Sequence, residues 1–125
     1  MADENNRVRF IEHKGRKILI QDYSAMTPGP EFYRLVEQAR VLIAAEPFRS
    51  VLTVVDATGS VFDTGVLQTL KEFVKVNTPY IKKTAVVGIT GLKEVGLLAV
   101  SRGLGRPLDT CGNVPEALDM LAGVE

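Results

Sequence analysis

"SVLTVVDATGSVFDTGVLQTL", residues 50–70, passes from one kind of periodicity to another. Its first part, Ser50–Ala57, is an almost unbroken apolar and β-branched run. That composition suits a strand covered on both faces, as strands of parallel sheets are. From Asp63 onward the pattern changes. Val66, Leu67, Leu70, Phe73 and Val74 recur at helical spacing. Asp63 stands just before this pattern, where a carboxylate accepts an N–H of the first helical turn. A buried strand that feeds an amphipathic helix is the building unit of α/β domains.

The same alternation runs outward in both directions. Residues 8–13 (VRFIEH) and 16–22 (RKILIQD) are β-rich runs split by Lys14-Gly15, which reads as a hairpin. The TPGP stretch at 27–30 breaks the chain before a helix over 31–45, whose apolar positions are Phe32, Leu35, Val36, Ala39, Leu42 and Ile43. Downstream, the helix that starts at Asp63 ends in Asn77-Thr78-Pro79. A second buried strand is expected over 84–90 (TAVVGIT) and a third helix over 91–105, closed by glycines. Residues 106–110 read as a short last strand. Asn113, with Pro115 just inside and Glu116 at the third helical position, caps a final helix through Leu121. The expected fold class is therefore α/β: a mostly parallel five-stranded sheet with four helices, in the order ββαβαβαβα. Residues 1–7 read as a disordered tail, and residues 8–122 as a single domain.

Composition sets the outer limits. The chain has 125 residues, enough for one domain that buries roughly two-thirds of its unfolded surface. Apolar residues make up 46% and charged residues 24%, as in an ordinary globular protein. The formal net charge is zero, which argues against a nucleic-acid partner, since that partner calls for a basic excess. Residues 64–106 are nonetheless locally basic, and residues 107–125 are acidic. The N-terminal stretch MADENNRVRF has no apolar leader, and no run approaches the ~20 apolar residues of a membrane span. A single cysteine, Cys111, leaves no intrachain disulfide. The expectation is a cytoplasmic protein without stable membrane insertion.

Catalytic patterns fail one by one. Asp63-Thr64-Gly65 has the letters of an aspartic-protease triplet, but an amphipathic helix follows it where a β loop is needed, and an N-cap reading is favoured. Asp56 and Asp63 as a glycosidase pair lack any sign of a sugar cleft. His13 is the only histidine and has no nucleophile elbow to serve; it reads as a surface turn residue. One histidine and one cysteine match no metal spacing, so no metal and no cofactor are expected. The stretch 88–93 (GITGLK) is similar to a phosphate loop but lacks its spacing. The expectation is a protein that is not an enzyme.

Two patterns carry weight. Most of the expected parallel strands end in an acid or hydroxyl: Asp22 and Ser24, Asp56 and Thr58, Thr90 before Gly91, and Asp109-Thr110. In a parallel sheet these share the edge where α/β proteins hold ligands. Helix and turn capping explains the same residues without a ligand. Secondly, the helix expected over 91–105 is apolar on two sides, with Val95, Leu98 and Ala99 on one and Leu97, Val100 and Leu104 on the other. Such a helix needs two covers, the sheet and either a partner chain or an apolar ligand.

The opening RFIEHKGRKILIQDYS, the strand SVLTVVDATG, the segment LKEFVKVNTPYIKKTAVVGITGL and the closing PEALDML together resemble STAS domains, the anti-sigma-factor-antagonist fold. The chain is most similar to the small stand-alone bacterial group of that type, which also shares features with CRAL-TRIO lipid-transfer domains. The resemblance covers about residues 8–122, and 70–92 is its most specific part. It implies a non-catalytic regulatory module that binds a kinase, another regulator or a small molecule, and it places the strand 17–22 centrally, between strands 3 and 4. It also implies a phospho-acceptor in the turn that opens the second helix. That turn is Asp63-Thr64-Gly65 here, one residue shorter than the family's Asp-Ser-Ser-Gly and with threonine for serine. Thr64 is the implied acceptor, and Thr58 in Asp56-Ala57-Thr58-Gly59 is the alternative. Two classes of function follow: a phosphorylation-switched interaction module, homodimeric through Leu97, Val100 and Leu104, or a carrier of a small apolar ligand or lipid.

Overall fold

The computed structural model describes residues 6–89 and 108–124. In chain order these form β1 (Val8–His13), β2 (Arg16–Asp22), α1 (Pro30–Ala44), β3 (Val51–Asp56), α2 (Thr64–Asn77), a 3-10 turn (Thr78–Tyr80), β4 (Ile81–Val87), β5 (Asp109–Cys111) and α3 (Val114–Ala122). The α/β class and the mostly parallel five-stranded sheet expected from the sequence are both present. The described residues hold three α-helices. The further helix expected over 91–105 lies outside them, as do Thr90, Gly91, Leu97, Val100 and Leu104. Among the described residues no helix is long and apolar enough to cross a membrane.

The sheet runs in sequence order, β1-β2-β3-β4-β5. β1 is antiparallel to β2, and the other three pairings are parallel. This corrects the placement of the strand 17–22 between the third and fourth strands: β3 lies between β2 and β4. A strand has two edges. The tight turn at Lys14 (φ 51°) and Gly15 (φ 80°) folds β1 onto one edge of β2, and β3 takes the other. Positive φ at both turn residues is what a two-residue hairpin of this twist requires.

Side-chain alternation assigns the two faces. Leu19, Tyr23 and Val51 join Phe32, Leu35, Val36, Ala39 and Ile43 of α1 and Val66 and Phe73 of α2 in one buried cluster. Ile18, Ile20, Leu52, Val54, Ala85 and Val87 form the second cluster with Ala117 and Leu121 of α3. β4 starts earlier than the apolar run at 84–90 suggests, because Ile81 pairs with Val51. The next pair is Leu52 with Lys83, so the register steps over Lys82. A bulge of this kind flips the alternation. Ile81 and Thr84 thereby face the same side, although they differ in parity. Lys83 ends in an ion pair with Asp109 of β5, at 2.7 Å.

Helix ends follow their sequence signals. The Asp63 carboxylate accepts the Val66 N–H at 2.8 Å, and the Asn113 side chain accepts the Glu116 N–H at 2.8 Å. α1 has no side-chain cap; Pro30 opens it after Gly29. Just before β1, Arg7 donates to the Ser24 carbonyl at 3.0 Å, and its own carbonyl accepts the Asp22 N–H at 2.9 Å.

Candidate functional site

Parallel pairing brings Asp22 and Asp56 side by side at the carboxyl edge of the sheet. The two strand ends repeat one local design. Asp22 Oδ1 accepts the Ser24 N–H at 2.9 Å and the Ser24 hydroxyl at 2.6 Å. Asp56 Oδ1 accepts the Thr58 N–H at 3.0 Å and the Thr58 hydroxyl at 2.7 Å. Each acid thus closes the turn that follows its own strand. The two loops also extend the ladder to each other: Tyr23 N–H donates to Asp56 O, Ala25 N–H to Thr58 O, and Val61 N–H to Met26 O, at 2.8, 2.8 and 2.9 Å.

The Thr58-Gly59 turn fits against β4. Gly88 has φ +81°, and a Cβ built on it would lie within 2.5 Å of the Thr58 backbone Cα and N. In the sequence Gly88 falls within the strand expected over 84–90, whereas the strand ends at Val87. The close approach of two backbones is what demands glycine there.

Asp63, Thr64 and Gly65 sit at the start of α2, as expected. Asp63 is committed to its cap bond. Thr64 is the first helical residue and is exposed, with no hydrogen bond from its hydroxyl among the described residues. Of the two phospho-acceptor candidates, Thr64 therefore offers its hydroxyl outward and Thr58 turns its hydroxyl onto Asp56. His13 is not isolated at its turn. Its Nε2 lies 2.8 Å from Asp119 of α3, which Lys14 also meets at 3.0 Å. The bond from His13, then the bond and charge of Lys14, hold the Asp119 carboxyl below the usual carboxylate range. At Cys111, burial first, then the negative charges of Glu116 and Asp109, push the thiol up, away from the reactive thiolate.

A second feature lies beneath α2. A cavity of about 70 Å³ opens between α2 and the sheet face that carries Gln21, Thr53, Thr84 and Val86. Phe62, Leu70, Phe73 and Val74 supply much of its apolar wall. None of the described residues that line it carries a charge. On its floor runs a closed polar chain: the Tyr23 hydroxyl donates to Gln21 Oε1 (2.9 Å), Gln21 Nε2 to Thr53 Oγ1 (2.8 Å), and Thr53 Oγ1 to the Leu19 carbonyl (3.0 Å). Burial pushes the Tyr23 phenol well above its ordinary range, so this chain stays neutral.

Asn77, in the same wall, is different. It is 3% exposed, and neither its Nδ2 nor its Oδ1 has a hydrogen-bond partner among the described residues. The sequence reading treated Asn77 only as a helix terminus. One signal was available: Asn77 follows Phe73 by four and Val74 by three, so it falls within the apolar stripe of α2. Gln21 and Tyr23 were missed for a related reason, being read as part of a strand end.

Comparison with protein-family models, with curated proteins and with solved structures yields no match.

Proposed function

We propose that this chain is a non-catalytic regulatory module of STAS type, switched by phosphorylation at the start of α2 and read by a protein partner. The exposed hydroxyl of Thr64, the first residue of α2, carries this reading. A phosphate there would meet the helix N-terminus, where the dipole and the first-turn N–H groups favour negative charge. The non-catalytic part is supported by the acids. Asp22, Asp56 and Asp63 each spend a carboxylate oxygen on their own turn or cap. The partner is a serine/threonine kinase or another regulator. Homodimerisation through Leu97, Val100 and Leu104 belongs to the same proposal. Co-expression with a serine/threonine kinase, followed by mass spectrometry, tests the switch. The modification should disappear in Thr64→Ala and persist in Thr58→Ala. Unmodified protein in the presence of an active cognate kinase would remove the switch from the proposal.

A second reading, binding of a small apolar ligand, is favoured by the uncharged cavity beneath α2. The two readings are compatible, because the cavity lies beneath α2 and the exposed Thr64 is not among the residues that line it. The cavity touches Asn77 in the last turn, and the acceptor lies in the first.

A further inference from the structure

Buried amides without partners are rare in folded proteins, and each one calls for an explanation. Asn77 leaves both a donor and an acceptor unpaired in the wall of a cavity. Replacing that residue by an apolar one would cost the fold no hydrogen bond. The volume of about 70 Å³ is several times what one water requires and about half of the ~150 Å³ that takes a benzene ring, so a small ring enters with some outward shift of the wall. Apart from the Thr84 hydroxyl, the rest of the wall is apolar or already hydrogen-bonded: Tyr23, Gln21 and Thr53 satisfy one another. A ligand here would find mostly apolar contact and one fully buried, unspent amide. The side-chain amide torsion of asparagine is broad, so the group can turn to a partner in the cavity.

Resting on the ligand-binding reading, we infer that the cavity takes a small, neutral, mostly apolar ring with a lactam-type edge, whose N–H and C=O pair with the side-chain amide of Asn77. The edge follows from the donor and acceptor inventory. An asparagine amide presents an acceptor oxygen beside a donor nitrogen, and a cis-amide presents the complement. Neutrality follows from the wall. No described lining residue can pair an ion, and an unpaired buried charge is strongly disfavoured. Specificity would come from the same source. A site built to hydrogen-bond a ligand rejects analogues that leave its buried groups unpaired.

The test uses the full chain and three probes in an NMR titration: 2-pyridone, N-methyl-2-pyridone, which lacks the N–H, and toluene, which lacks both groups. 2-Pyridone should bind the wild-type protein about tenfold more tightly than either of the others, the effect of retained net hydrogen bonds. Asn77→Leu should bind toluene as well as the wild type does and lose the preference for 2-pyridone. Should that variant not fold, the wild-type ranking of the three probes decides alone. Equal binding of all three overturns the lactam edge and leaves the ligand-binding reading in place. If no probe shifts any resonance of the cavity wall, that reading falls too, and waters satisfy Asn77.

Discussion

Gly88 shows how much can rest on a missing side chain. A Cβ at this position would press on the backbone of Thr58, and its φ of +81° is one that L side chains rarely adopt. Neither neighbour can swing away, since Thr58 O already receives the Ala25 N–H and Ala57 N–H donates to Val87 O. Gly88→Ala should therefore destabilise the domain by about 3 kcal/mol, combining left-handed strain with overpacking. Urea titration would show it as a lower midpoint, and an unchanged midpoint would mean that the two loops separate easily. Asn77 is the opposite case. Its buried amide lowers stability where it stands, so Asn77→Leu should raise stability by about 1 kcal/mol in the absence of ligand. A drop in stability would show that the amide is satisfied after all.

α2 connects the two candidate features. Its first turn is fixed by Asp63 and its apolar side by Val66 and Phe73 in the main cluster, and its last turn carries Asn77. Replacing Asp63 by Ala removes an N-cap acceptor, and the expected cost is about 1 kcal/mol, with Asp63→Asn close to neutral because an amide oxygen caps as well. Comparison of the two variants by thermal denaturation checks this. If the charge of Asp63 matters more than its cap bond, the asparagine variant will fall with the alanine one. The same pair bears on the phosphorylation switch. Asp63→Asn takes a negative charge from beside Thr64 and should leave modification of Thr64 intact.

Across the whole molecule, the last helix is tied to the first hairpin by Asp119 with His13 and Lys14. Asp119 and Lys14 are exposed and His13 is half-buried, so the tether is weak and screened by salt. Its pH dependence has a definite sign. The Asp119 carboxyl titrates lower in the folded chain than its ordinary value. A carboxylate of this kind contributes stability that is present above its unfolded value, near pH 4, and is lost as pH falls through the lower folded one. Asp119→Asn should therefore be slightly less stable than the wild type at neutral pH, and the two should converge once the pH has fallen below the folded value of the carboxyl. A difference that persisted at low pH would point to a packing role for the side chain.

Much of this architecture is legible in local sequence. The switch of period within 50–70 gives β3, the cap at Asp63 and α2, because strand burial and helical amphipathicity are written in short-range spacing. The Lys14-Gly15 hairpin and the Asn113 cap are local in the same sense. Strand order is a different matter. Whether β2 lies between β1 and β3 or between β3 and β4 depends on whether β1 occupies one of its edges, and that is a contact between segments. The candidate site divides along the same line. Asp22, Ser24, Asp56 and Thr58 were visible as polar strand ends, but only the register Asp22 to Asp56 brings them together. The bulge at Lys82, the need for glycine at position 88 and the unpaired amide of Asn77 have no local signature of comparable strength. Each arises where backbones or side chains distant in sequence meet, so the tertiary structure alone decides them.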